Sequence, residues 1–250
     1  MINLKVLVIT LAVLAALAVL GALAKYCFTP RLKLKLSPPN FDVAKVKPVH
    51  ANAPPFLYVL SGFMSPEECQ HFLQISKDRF ERSSVTGVSG QQGQDNVRTS
   101  YSCLLGESET PIVRAVEERA ARVCGVDVSH IEALQIVRYH PGQKYDAHHD
   151  YFHYPLDNQR YITLLVYLND DFEGGATRFV HSSVNKAVQP VAGDAAFWYN
   201  SVSTGHGGHG GHGGNGVKCL TESEHQGTPP TSGVKYAVNI WVRHKPFRGV

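Results

Sequence analysis

The stretch KYDAHHDYF, residues 144–152, sets two adjacent histidines directly before an aspartate. Side chains on an extended strand alternate faces, so His148 and Asp150 share one face while His149 points away. An imidazole and a carboxylate placed in this way can grip one metal ion. Two histidines and one carboxylate on a single face of an octahedron leave positions open, an arrangement suited to non-haem Fe(II) oxygen chemistry. The His-x-Asp spacing alone is weak evidence, because such a pair on a strand is more often a satisfied hydrogen-bonding pair. A third ligand has to be a distant histidine brought near by the fold. The downstream choices are His153, His181, His206, His209, His212, His225 and His244. His225 is preferred because of Lys235, ten residues on. Lys235 opens a strand whose alternation points Lys235, Ala237, Asn239 and Trp241 to one side. A dicarboxylate cosubstrate that chelates iron at one end needs a cation at its far end, and Lys235 can supply it.

The elements that must position these residues are legible in outline. Ser65-Pro66-Glu67-Glu68 opens a helix, with Ser65 as cap, Pro66 at the first helical position and Glu68 completing a capping box. That helix is predicted to run to about Phe80, and a second from Thr110-Pro111 to about Cys124. Between them, residues 87–96 (GVSGQQGQDN) lack apolar periodicity and read as a mobile loop. After the second helix the pattern changes. EALQIVRYH, YITLLVYLN, ATRFV, AAFWYN and YAVNIWVRH are rich in β-branched and aromatic residues and are separated by turn residues. Helices followed by many short strands imply an α+β domain whose core is a β-sandwich or jelly roll.

A chain of 250 residues suits one sizeable catalytic domain with a short appendage. The net charge of +3, without a basic stripe interleaved with aromatics, excludes a nucleic-acid partner from the reading. Val6–Ala24 is a nearly unbroken apolar run, long enough to cross a hydrocarbon core. It reads as a membrane anchor, with a cleaved signal peptide ending at Ala22-Leu23-Ala24 as the alternative. Lys25, Arg31, Lys33 and Lys35 follow the run, which by charge bias favours a cytosolic body. Residues 25–55, rich in Lys, Pro and Val, read as a stalk. The five cysteines share no metal-type spacing. The low-complexity tract at 205–216, with His206, His209 and His212 three residues apart, reads as a floppy insertion between strands rather than as an auxiliary metal tract.

Taken together, YHPGQKYDAHHDYF, RYITLLVYLND, EGGATRF, GDAAFWYN and a histidine followed after a gap by GVKYAVNIW are similar to the catalytic domain of the prolyl 4-hydroxylases. These are 2-oxoglutarate- and Fe(II)-dependent dioxygenases. The motifs occur in the family's order and the likeness spans about residues 56–247, with the membrane-anchored or secreted plant and algal enzymes similar in layout. The resemblance implies a double-stranded β-helix (jelly roll) with N-terminal supporting helices. It implies iron held by His148, Asp150 and His225, and 2-oxoglutarate bound by Lys235 with Tyr139 and Thr177. Tyr145, Arg160, Trp241, Arg98 and Glu132 fall where the family places peptide-binding or pocket residues, and residues 87–96 where it places a flexible lid. The implied reaction is hydroxylation of peptidyl proline in proline-rich proteins, with O2 as oxidant, 2-oxoglutarate converted to succinate, and L-ascorbate rescuing oxidised iron. A secretory substrate implies a lumenal body in the endoplasmic reticulum or Golgi, single-pass type II, or a secreted form after signal cleavage. The rival readings are a 2-oxoglutarate dioxygenase acting on lysine or a small molecule, and a non-catalytic jelly-roll binding module. The chain departs from the family pattern at Tyr236, where a tryptophan is usual, at Arg243, where a histidine is common, in lacking a cysteine after the distal histidine, and in the Gly-His tract. Arg243 and the tract bear on peptide preference rather than on the reaction.

Overall fold

Residues 38–87, 90–154, 156–203 and 216–249 are described, from a computed structural model. The apolar run, the first part of the predicted stalk and, apart from Gly216, the Gly-His tract lie outside the described residues. Among the described residues no helix is long and apolar enough to cross a membrane.

Chain order begins with β1 (Val46–His50), β2 (Leu57–Leu60), helix α1 (Pro66–Ser76), β3 (Glu81–Arg82), β4 (Val85–Thr86), β5 (Gln92–Gly93), β6 (Tyr101–Leu104) and helix α2 (Pro111–Cys124). It continues with β7 (Gln135–Tyr139), β8 (Tyr145–His148), β9 (Arg160–Tyr167), β10 (Glu173–Gly174), β11 (Thr177–Phe179), β12 (Lys186–Val188) and β13 (Ala195–Tyr199). The last five are β14 (Ser201–Ser203), β15 (Val217–Cys219), β16 (His225–Gly227), β17 (Pro230–Ser232) and β18 (Lys235–Arg243).

Two sheets carry the fold. The larger has the order β1-β2-β13-β9-β18-β7-β6-β3, and the smaller β12-β11-β16-β8. Leu57, Val137, Tyr139, Tyr167, Trp198 and Ala237 of the large sheet pack with Phe179 and Val188 of the small one. This two-sheet antiparallel core is the double-stranded β-helix. Strand β18 is central because its alternation is buried on both faces: Ala237 and Trp241 on one, Val238, Ile240 and Val242 on the other. Helix α2 packs behind β18.

Local chemistry explains the helices. Ser65 Oγ accepts from Glu68 N at 3.2 Å, and Ser65 N donates to Glu68 Oε2 at 2.8 Å. Helix α2 starts under the Thr110 hydroxyl, which accepts from Val113 N, and stops at Gly125, a left-handed residue with φ 67°.

Several boundaries differ from the sequence reading. Helix α1 ends at Ser76, four residues before Phe80. The Ser76 hydroxyl turns back to the Phe72 carbonyl, and Arg79 is drawn away to Glu109 and the Leu104 carbonyl. Residues 46–50, expected in the stalk, form β1 and pair with β2 at the edge of the large sheet. Within the predicted loop at 87–96, Gln92–Gly93 pairs with Val85–Thr86. Strand β8 ends at His148, so Asp150 lies two residues beyond it, and strand alternation is not what aims its carboxylate.

Candidate active site

Antiparallel register brings the distant histidine home. In the small sheet His225 of β16 stands opposite His148 of β8, and Phe179 of β11 stands on its other side. In the large sheet Lys235 of β18 stands opposite Tyr139 of β7. His148, Asp150 and His225 offer ligand atoms that all lie within 4.8 Å of one another. His148 Nε2 is 3.8 Å from Asp150 Oδ1, and His225 Nε2 is 3.9 Å from Asp150 Oδ2. His225 and Asp150 are buried, and His148 is half-buried.

The imidazoles are oriented for ligation. His148 Nδ1 bonds to the Asp146 carbonyl at 2.8 Å, and His225 Nδ1 to the Ser223 carbonyl at 2.9 Å. A carbonyl only accepts, so each Nδ1 carries a proton and each Nε2 is the ring nitrogen turned to the centre. Burial, and then the neighbouring His225, hold the His148 pKa well below its ordinary value, so its imidazole is neutral at physiological pH. Tyr145 stacks on it at 3.5 Å and 16°. For Asp150 burial pushes the pKa up, but His225, His148, Arg160 and the Thr163 hydroxyl together outweigh it and bring it down to about 2. Two imidazoles and an ionised carboxylate are the donor set that fits a ferrous ion.

What aims Asp150 is a buried relay absent from the sequence reading. Trp198 Nε1 donates to Asn200 Oδ1 at 2.9 Å, Asn200 Nδ2 to Thr163 Oγ1 at 2.8 Å, and Thr163 Oγ1 to Asp150 Oδ2 at 2.7 Å. Thr163 on β9 pairs in register with Trp198 on β13, so the relay runs through two neighbouring strands to the segment that carries Asp150. The one signal in the sequence was a polar Thr and Asn within apolar strand runs, where an unpaired polar group is costly. Thr163→Val is expected to weaken Fe(II) affinity by about 10- to 100-fold, the usual cost of losing such a partner. The Fe(II) dependence of turnover, checked by direct Co(II) titration, measures it.

The remaining histidine candidates within the described residues are elsewhere. His153 Nε2 is 3.3 Å from His149 Nδ1 on the exposed side, His181 bonds Ser183, and His244 Nε2 meets Ser201 Oγ at 2.8 Å. His149 turns away to the Thr221 carbonyl. His206, His209 and His212 lie outside the described residues.

A cavity of about 870 Å³ opens beside the triad, and every nominated cofactor and substrate residue lines it. Lys235 is 2% exposed, and its ammonium donates to the Gly175 carbonyl at 2.6 Å between the rings of Tyr139 and Tyr167. Gly175 sits at φ 65°, and a Cβ there would meet Phe172 at 2.7 Å and Lys235 Cδ at 3.2 Å, so only glycine lets the backbone come this close. Among the described residues no carboxylate pairs with Lys235, and burial drops its pKa to about 7. Thr177 Oγ1 accepts from Tyr167 at 2.9 Å, which leaves its own proton free for a ligand. Burial pushes the Tyr139 phenol pKa up, so it stays a donor.

The other side of the cavity is a wall of guanidinium and aromatic groups. Arg160 lies 3.4 Å from the Trp241 ring centroid and is gripped by Glu132 at 2.8 and 2.9 Å. Arg98 sits 4.7 Å over the Tyr145 ring and donates to Ser100, Ser84 and Gln135. Glu132 and Arg98 thus spend their polar atoms within the protein, so their geometry serves to hold Arg160 and Tyr145 in place. Trp241 Nε1 is buried with no acceptor.

Residues 134–243 match the profile of the 2OG-Fe(II) oxygenase superfamily. Prolyl 4-hydroxylase 1 of Arabidopsis thaliana is 34% identical over 221 residues, covering 81% of this chain and 74% of its own. The chain belongs to the prolyl 4-hydroxylase family. A putative prolyl 4-hydroxylase of Acanthamoeba polyphaga mimivirus is 31% identical over 199 residues, 76% of this chain and 75% of the relative. Among solved structures, a viral collagen prolyl hydroxylase from Paramecium Bursaria Chlorella virus-1, in a 2OG complex, superposes with a TM-score of 0.58. It is 23% identical and covers 76% of this chain and 97% of its own, a likeness of fold. As a prolyl 4-hydroxylase family member this chain is an oxidoreductase of the dioxygenase type, and the family's chemistry uses Fe(II), 2-oxoglutarate and O2.

Proposed function

We propose that the chain hydroxylates C4 of prolyl residues in proline-rich polypeptides, with His148, Asp150 and His225 as iron ligands. Lys235, Tyr139 and Thr177 bind 2-oxoglutarate, Lys235 taking the carboxylate far from the metal. When bound, iron and 2-oxoglutarate supply the oxidising power, by activation of O2 coupled to decarboxylation to succinate. The protein's own residues do the rest. The two imidazoles and the carboxylate hold the metal on one side, and Lys235 fixes the cosubstrate's far end. Aromatic walls exclude water and offer few groups that an oxidant would attack. The observation that carries the reading is the convergence of the triad and an unpaired buried ammonium on one cavity.

The peptide assignment is supported by the orphaned Trp241 indole N–H, for which a backbone carbonyl of an extended chain is a suitable acceptor. Proline-rich segments preorder as polyproline II, which lowers the entropic cost of docking in an aromatic-lined groove. Ascorbate as iron reductant, and a lumenal endoplasmic reticulum or Golgi setting through the Val6–Ala24 run, belong to the same proposal. They rest on the class of reaction and of substrate. The test is mass spectrometry of proline-rich and lysine-rich peptides incubated with the protein, Fe(II), 2-oxoglutarate and ascorbate. One added oxygen on proline is expected; oxygen gained on lysine and never on proline would transfer the assignment to a lysyl oxygenase.

A further inference from the structure

The cavity wall does not end at Trp241. Arg160 lies 4.7 Å from the Phe152 ring centroid, Arg243 lies 5.0 Å from the same ring, and Arg243 lies 4.9 Å from the ring of Phe247. The result is a continuous stack of alternating aromatic and cationic groups: Trp241, Arg160, Phe152, Arg243, Phe247. One carboxylate ties both cations, since Glu132 Oε1, which accepts from Arg160, is also 2.5 Å from Arg243 Nε.

Phe247 is the outermost member. It is 45% exposed while lining the same cavity as the iron triad. An exposed aromatic is often a loosely held surface residue, but this one is fastened. Phe247 N donates to the Ser129 carbonyl at 2.6 Å, and Arg248 N to the same oxygen at 3.0 Å. The Arg248 guanidinium grips Glu117, a fully buried carboxylate of α2, through two bonds of 2.8 and 2.7 Å. It also donates to the Ile131 carbonyl at 2.6 Å and the Glu132 carbonyl at 3.1 Å. One side chain therefore anchors the platform and the backbone of the carboxylate that organises the stack.

We propose that Phe247 is a substrate-specificity residue, the outer platform on which a proline flanking the target proline stacks, and that Arg248 is the positioning residue that holds it. This deepens, and rests on, the prolyl reading above. A polyproline II chain repeats every three residues, so a second ring recurs on the face that enters the site. A proline ring against an aromatic face gains contact with little loss of side-chain freedom on its own part, because its ring has no rotamers to lose.

The experiment is a double-mutant cycle between Phe247→Ala and an alanine scan of the flanking prolines in one proline-rich peptide. Phe247→Ala is expected to raise the peptide KM by about 2- to 12-fold, the range of a single aromatic contact. The kcat and the 2-oxoglutarate KM should be unchanged, and Phe247→Tyr should restore the peptide KM. At one flanking position, proline to alanine should erase the difference between wild type and variant. Arg248→Lys should raise the peptide KM in the same direction, again without moving the 2-oxoglutarate KM. An unchanged peptide KM in Phe247→Ala, or a rise that persists undiminished across the whole scan, overturns the subsite. A wild-type protein that leaves every proline peptide unmodified removes the prolyl reading and this subsite with it, a result visible before any variant is made.

Discussion

Asp150→Ala is expected to abolish hydroxylation while leaving the fold intact, with turnover reduced by more than the roughly 100-fold upper range for an outer partner. The carboxylate is the only anionic donor of the triad, and its Oδ2 is also the end point of the Trp198–Asn200–Thr163 relay. Removing it leaves two imidazoles, 4.3 Å apart between ring centres, which retain a divalent ion only weakly. The comparison with Thr163→Val separates ligation from aiming. The valine variant should recover activity at raised Fe(II), because the carboxylate remains; the alanine variant should not. Circular dichroism establishes that both remain folded, and Co(II) titration establishes which has lost the ion. A D150A protein that still turns over 2-oxoglutarate in an Fe(II)-dependent way would show the metal to be held elsewhere.

Lys235→Met should raise the 2-oxoglutarate KM by about 10²- to 10³-fold, because it strands the distal carboxylate in a buried site without its cation, a loss of roughly 3–4 kcal/mol. The same residue predicts a pH dependence. Burial lowers its pKa from 10.5 to about 7, so the empty folded protein disfavours the charged form. The unfolded chain binds this proton up to about pH 10 and the folded one releases it near 7, so the unfolded state holds more protons between those limits. The contribution of Lys235 to stability is therefore most unfavourable below pH 7 and improves as pH rises from about 7 towards 10.5. Binding runs the other way. A dicarboxylate needs the ammonium form, so above pH 7 each molecule of 2-oxoglutarate has to draw in a proton, and affinity should fall towards tenfold per pH unit. Calorimetric titration in buffers of different ionisation enthalpy reads that proton uptake directly. Lys235→Met should show neither the uptake nor the slope, while becoming more stable than wild type at pH 6.

Lys235 illustrates how a site residue can be costly to the empty fold. A buried lysine without a carboxylate partner lowers stability, and the neighbouring Gly175 carbonyl repairs one hydrogen bond but not the charge. In the proposed function the carboxylate that neutralises it is brought by 2-oxoglutarate. Arg248 and Glu117 show the opposite solution, a buried charge satisfied wholly within the protein.

What the sequence determined by itself was whatever depends on neighbours along the chain. The Ser65–Glu68 capping box, the start of α2 at Thr110-Pro111 and the five strand cores follow from contacts within a few residues. So does the shared face of Lys235, Ala237, Asn239 and Trp241, all of which line the cavity. Family motifs then nominated the site residues, and the structure gathers them around one space. What only the tertiary structure decided was pairing between segments far apart. The sequence offered seven downstream histidines, and antiparallel register sets His225 opposite His148 across more than seventy intervening residues. The aim of Asp150 comes from Thr163 on another strand, not from the alternation of its own. Glu132 and Arg98 read as peptide-binding or pocket residues in sequence; in space they line the cavity and hold Arg160 and Tyr145, contacts that no short stretch shows. Phe247 and Arg248 carried no motif at all. The physical reason is common to these cases: a hydrogen bond or stack between strands depends on register and curvature summed over the whole sheet, and no short stretch of sequence contains that sum.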